Sequence, residues 1–116
     1  MSFKPNSFID ISKELESGKT EAHYRSVINR AYYGAFGFIK NRLQIMSTDI
    51  SIHRKVIDTL KHSQDQNYKL AGTKLEGLFK KRKEADYKYN VEIRSTSCQY
   101  TIKEAESIIE LIKKNP

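Results

Sequence analysis

The residues best equipped for chemistry are arginines, tyrosines and one histidine, set at helical spacing in separate stretches. Thr20 to Met46, TEAHYRSVINRAYYGAFGFIKNRLQIM, carries Arg25, Asn29, Arg30, Tyr32 and Tyr33. Arg82, Asp86 and Tyr87 follow in a second stretch. A guanidinium meets two phosphate oxygens with its planar fork and keeps its charge at any working pH. A basic groove lined by Arg25, Arg30, Arg82 and Tyr87, with Asn29 and Tyr33 in the same helical row as Arg25, would take phosphate groups. Tyr32 and Tyr33 could stack on bases there; the plainer alternative is core packing with a hydrogen-bonded hydroxyl. Arg82 and Asp86 are spaced for an ion pair along one helix, worth ~0.2–0.5 kcal/mol. Buried charges are normally paired, and the structural expectation is that Asp86 instead meets Arg25 or Arg30, tying the two stretches together.

The remaining reactive side chains point to little. No pair among His23, His53 and His62 has the spacing of a helical metal site. All three read as structural or surface groups, with His53 the one to test as a proton carrier. Cys98 falls on an apolar helix face with no histidine near it in sequence, and reads as core rather than nucleophile. A single cysteine excludes an internal disulfide and a cysteine-built zinc site. No glycine loop is of the phosphate-cradling kind, so no metal or cofactor is expected.

These groups must be positioned by helices. Of the 116 residues, 38% are hydrophobic and 30% charged, enough for one folded domain, 1–116, with one modest core. The two prolines, Pro5 and Pro116, leave the interior free for helices. The first helix is expected over 7–17, with Ser7 as N-cap, Phe8, Ile11 and Leu15 on its buried face, and Gly18 as the stop. Thr20 caps a long helix running to Met46, apolar on most of its circumference and therefore central. Ser51 caps a third helix over 52–61, whose core face is Ile52, Val56, Ile57 and Leu60. Residues 62–67 read as a loop. A fourth helix over 69–86 buries Leu70, Leu75, Leu78 and Phe79, and Gly72 and Gly77 hint at close helix approach. Its run Lys80 to Lys83, KKRK, reads as a solvated helix end. Residues 87–95 form a connector, and the last helix, from Ser95 or Thr96 to Ile112, buries Cys98, Ile102, Ala105, Ile108, Ile109 and Ile112. The fold class is all-α, an up-down bundle of four to five helices.

The net charge of +7, from 21 Lys and Arg against 14 Asp and Glu, favours anionic partners: nucleic acid, a phosphorylated ligand or an acidic protein. No apolar run reaches the ~18 residues of a membrane span, and MSFKPNSF lacks the pattern of a secretory signal. A cytoplasmic location is the expectation.

Taken together, Tyr24-Arg25-Ser26-x-x-Asn29-Arg30-Ala31-Tyr32-Tyr33-x-x-Phe36 and Arg82-x-x-Ala85-Asp86-Tyr87 resemble the HEPN superfamily. The likeness is to its small single-domain branch with RSxxxRAYYxxF and RxxADY signatures, and His53 sits where that branch often has a histidine. The resemblance spans about residues 7–112. It implies a short helical bundle, usually a homodimer. It also implies either a metal-independent endoribonuclease of toxin–antitoxin, antiviral defence or CRISPR-associated systems, or an inactive binding module. The nucleases of that superfamily carry Arg-x4-6-His. Histidine helps move the 2′-hydroxyl proton and arginine holds charge on the phosphate. Here Arg82 is followed by Tyr87 in the histidine's place, and no histidine lies beyond it. A phenol titrates near ~10 and is a poor base at neutral pH, though it can donate a hydrogen bond to phosphate. The leading expectation is a homodimer binding RNA or a nucleotide-bearing partner in a toxin–antitoxin or phage-defence setting. The alternatives are an active ribonuclease using Arg82 with Tyr87 or His53, and a protein-interaction module for an acidic partner such as an antitoxin.

Overall fold

The computed structural model describes residues 3–114. A single 3-10 turn, Pro5–Ser7, leads into α1 (Phe8–Leu15), followed by α2 (Glu21–Arg42), α3 (Ile52–Lys61), α4 (Gln66–Tyr87) and α5 (Ser95–Lys113). The described residues are all-helical and pack as a bundle. The central helix is α2, which packs against α1, α4 and α5 and touches α3. Its buried residues Val27, Ile28, Ala31, Tyr32, Gly34, Ala35, Phe36 and Ile39 cover most of its circumference, as a helix surrounded by others requires. No described helix is long and apolar enough to cross a membrane.

Thr20 caps α2 as expected, its hydroxyl accepting from the His23 amide at 3.2 Å. The helix ends at Arg42 rather than Met46. Gln44 takes a left-handed conformation, φ 57°, and two reversed bonds close the end: Ile45 N–H to Lys40 O and Gln44 N–H to Asn41 O, both 3.1 Å. Leu43 and Ile45, on either side of this turn, lie half-buried against the core. Without a glycine or asparagine at that turn, the stop left no mark in the sequence.

Other expectations shift by a residue or a turn. In α1 the buried side chains are Ile9 and Ser12, while Ile11 is exposed. Ser12 donates to the Val27 carbonyl at 2.7 Å, so a polar residue occupies the seam with α2. Ser7 and Ser51 make no side-chain cap. Asp65 does, accepting from the Tyr68 amide at 2.9 Å, which starts α4 at Gln66 inside the stretch read as loop. Leu70 on α4 is exposed, and Ala71 and Leu75 face the core. Gly72 is a close approach, since a Cβ there would lie 2.9 Å from Leu60 Cβ, whereas Gly77 faces open space. The faces of α3 and α5 are as expected, with Thr101 added to the latter.

Candidate functional site

The two motif stretches meet where α2 crosses α4 with opposed direction: the Arg25 side reaches the end of α4, and Tyr32 and Tyr33 reach Arg82 one turn earlier.

Arg25 is half-buried, and its guanidinium is spent on backbone. It donates to the carbonyls of Glu84 (3.2 Å), Ala85 (2.9 Å), Lys88 (3.3 Å) and Val91 (2.5 Å). Its Nε and Nη2 also reach Glu21 on its own helix, at 3.1 and 3.0 Å. The Glu84 and Lys88 carbonyls also accept from the Lys88 and Val91 amides, so Arg25 adds a side-chain donor at and just beyond the end of the helix, where carbonyls run short of partners. That is why Asp86 does not pair with Arg25, as the sequence led us to expect. Nor does it pair with Arg30, which is exposed and lies over the Phe8 ring at 5.4 Å. Asp86 accepts instead from Asn29 at 3.1 and 3.3 Å and from Arg82 at 3.2 Å. The tie between α2 and α4 exists, but an amide makes it on the α2 side.

Arg82 is only 7% exposed. One nitrogen is on Asp86, and its Nε is buried with no hydrogen-bond partner. The rings of Tyr32, Tyr33, Phe79 and Tyr87 surround the guanidinium at 5.5–5.9 Å, an aromatic setting that attracts a cation. Burial opposes its charge, but the Asp86 hydrogen bond and the neighbouring tyrosines outweigh that and raise its pKa.

His53 shares this box. It stacks on Phe36 at 4.4 Å and Phe79 at 5.1 Å, and its Nδ1 lies 2.7 Å from the Tyr32 hydroxyl. Burial first, then Arg82 and Lys40, lower its pKa, so the ring is neutral at pH 7. Tyr32 is fully buried, and burial raises its own pKa steeply. Donation to Nδ1 is the arrangement that uses the Tyr32 proton. His53 then carries its own proton on Nε2 and offers no free lone pair for base catalysis. Tyr32 is a core residue with a bonded hydroxyl, and so is closed to base stacking; Tyr33 is half-buried against Phe36 and His53.

The single groove expected from the sequence is two clefts. One, of about 300 Å³, is lined by Arg25, Ser26, Asn29, Arg30, Ala85 and Asp86. The Asp86 carboxylate there opposes a phosphate. The other, of about 440 Å³, is lined by Lys80, Lys83, Glu84, Tyr87 and Lys88. Arg82 lines neither. Tyr87 is 68% exposed, and Tyr89, 78% exposed, stands over Arg25 at 5.8 Å. The lysines and Tyr89 do not stand out in the sequence, because a charge run reads as a solvated helix end. The alternation Tyr87-Lys88-Tyr89 is the signal that could have found them.

Cys98 is buried, its thiol 3.4 Å from the Tyr24 carbonyl and pushed up to about 11 by burial, which fits a core role. His23 bonds Thr20, and His62 donates to the Asp58 carbonyl. No cluster of three or more His, Cys, Asp or Glu suited to a metal exists among the described residues. Comparison with family models, characterised proteins and solved structures returns no match.

Proposed function

We propose that this chain is a HEPN-like helical module that binds RNA, acts as a homodimer, and does not itself cut the strand. The observation that carries the reading is the surface at the end of α4. Lys80, Lys83 and Lys88 gather there around Tyr87, with Glu84 the single carboxylate among them. Such an excess of cations favours a polyanion, whose counterions they release on binding. The toxin–antitoxin or phage-defence setting rests on the resemblance of the motif residues alone.

Three features support binding over cleavage. Arg82 is sunk in the aromatic box and held by Asp86. His53 is neutral, with Nδ1 engaged by Tyr32. Tyr87, in the place of the nuclease histidine, is a phenol and a poor base at neutral pH.

The test is incubation of the purified protein with end-labelled RNA in EDTA, beside Arg82→Ala and Tyr87→Phe. Intact RNA, with a complex that weakens steeply as salt rises, is the expected outcome, and sedimentation should give twice the chain mass. Cleavage by the wild type that Arg82→Ala abolishes would replace this reading with a metal-independent ribonuclease. Absence of any complex at low salt would leave an acidic protein as the partner for the positive charge.

A further inference from the structure

We infer that the RNA is held as an unpaired strand, its bases stacked on Tyr87 and Tyr89 and its phosphates met by Lys80, Lys83 and Lys88. This rests on the RNA-binding reading above and assigns it a site. The two rings are among the most exposed large side chains of the fold, 68% and 78% accessible, and two residues apart with Lys88 between them. Leaving such rings in water forgoes their burial. Here each is flanked by positive charge: Tyr87 by Lys80, Lys83 and Lys88, and Tyr89 by Arg25. A third exposed tyrosine, Tyr100 on α5, lies under Lys81 at 5.3 Å.

The charge balance of the cleft identifies the partner. Its lining holds three lysines and one carboxylate, Glu84. Lys83 lies over the Phe79 ring, at 4.6 Å, rather than on that carboxylate. A duplex would present phosphates to these lysines but keep its bases stacked inside, leaving the tyrosines idle. An unpaired strand offers both the phosphates and the base faces, and stacking of this kind tolerates any base. Both rings are anchored through the backbone. Tyr87 sits on the last turn of α4, and Arg25 holds the carbonyls of Lys88 and Val91 on either side of Tyr89.

The experiment is fluorescence anisotropy of a labelled oligouridine, and of a labelled mixed-sequence RNA as single strand and as duplex, on the full chain at several salt concentrations. The variants are Tyr87→Ala/Tyr89→Ala, Tyr87→Phe/Tyr89→Phe, and Lys80→Gln/Lys83→Gln/Lys88→Gln. All sites are on the surface, and thermal melts confirm folding. The single strand should bind more tightly than the duplex. The alanine pair should weaken it by about 30-fold or more, each stacked base lost costing about 5-fold or more, while the phenylalanine pair keeps most of the affinity. The lysine variant should flatten the dependence of log K on log salt by ~0.7 for each phosphate no longer neutralised. Equal binding of duplex and single strand, indifferent to the alanine pair, overturns this inference and leaves RNA binding standing. No binding of either RNA at low salt overturns both.

Discussion

Asp86 accepts from Arg82 on its own helix and from Asn29 on the neighbouring one, so one carboxylate serves two elements. Its removal leaves a guanidinium that is 7% exposed without its anion. Breaking a buried charge pair from one side is costly because the other charge stays behind. Asp86→Ala should therefore lower unfolding stability by about 2–3 kcal/mol, read by urea titration. Adding Arg82→Met should restore part of it, since an apolar side chain of that length suits a box of Tyr32, Tyr33 and Phe79. A loss below about 1 kcal/mol would mean that the interaction is no more than a surface pair. The spacing offered the Arg82–Asp86 pair that the structure shows, but the sequence expectation set Asp86 against Arg25 or Arg30, and Asn29 stands there instead. What decided it was the set of backbone carbonyls at and beyond the end of α4, which hold Arg25 away from Asp86. Competition between backbone and side-chain acceptors is not visible in residue types.

At the scale of elements, the pattern of apolar residues predicted all five helices and most of their buried faces. It failed where a stop or start was written in backbone geometry, as at the left-handed Gln44 and the Asp65 cap. In α1 the short span and a single serine on the seam moved the buried face from Ile11 to Ile9 and Ser12. Gly72 and Gly77 show the same limit: they look alike in sequence, yet one touches α3 and the other touches nothing. Both lie inside α4, where alanine is the better helix former by ~1 kcal/mol. Gly77→Ala should raise stability by about 0.5–1 kcal/mol. Gly72→Ala should lower it by about 1–3 kcal/mol, because the added methyl meets Leu60 and the Lys61 backbone. Thermal melts of the two variants side by side decide it. Equal shifts of the same sign would refute the packing assignment.

For the whole molecule, two groups give stability a stepped dependence on pH. Burial, Arg82 and Lys40 depress the pKa of His53 below its ordinary 6.5. The unfolded chain then takes up the proton first as pH falls. The contribution of His53 is complete above about 6.5 and is lost as pH drops through its lower folded value. Glu76 is drawn down to about 2 by hydrogen bonds from Lys61 and Arg54 on α3. Its contribution is complete above the ordinary 4.5 and fades toward pH 2. Melting temperature should fall between about pH 7 and pH 5.5 in the wild type and stay flatter in His53→Gln. Glu76→Gln should flatten only the more acidic step. A wild-type profile level down to pH 5.5 would contradict the half-buried, neutral His53. The histidine was visible in the sequence as a candidate, but its burial between Phe36 and Phe79 was not, because the three rings come from three helices.

Arg25 has a consequence for what can approach α4. The C-terminus of a helix carries roughly half a negative charge on its open carbonyls, a macrodipole end that repels anions within a turn. Here a fixed guanidinium from α2 sits on the Glu84, Ala85 and Lys88 oxygens. Because the same guanidinium is also paired with Glu21, that end of α4 is neutralised rather than left negative, and it does not repel a phosphate arriving beside Tyr87.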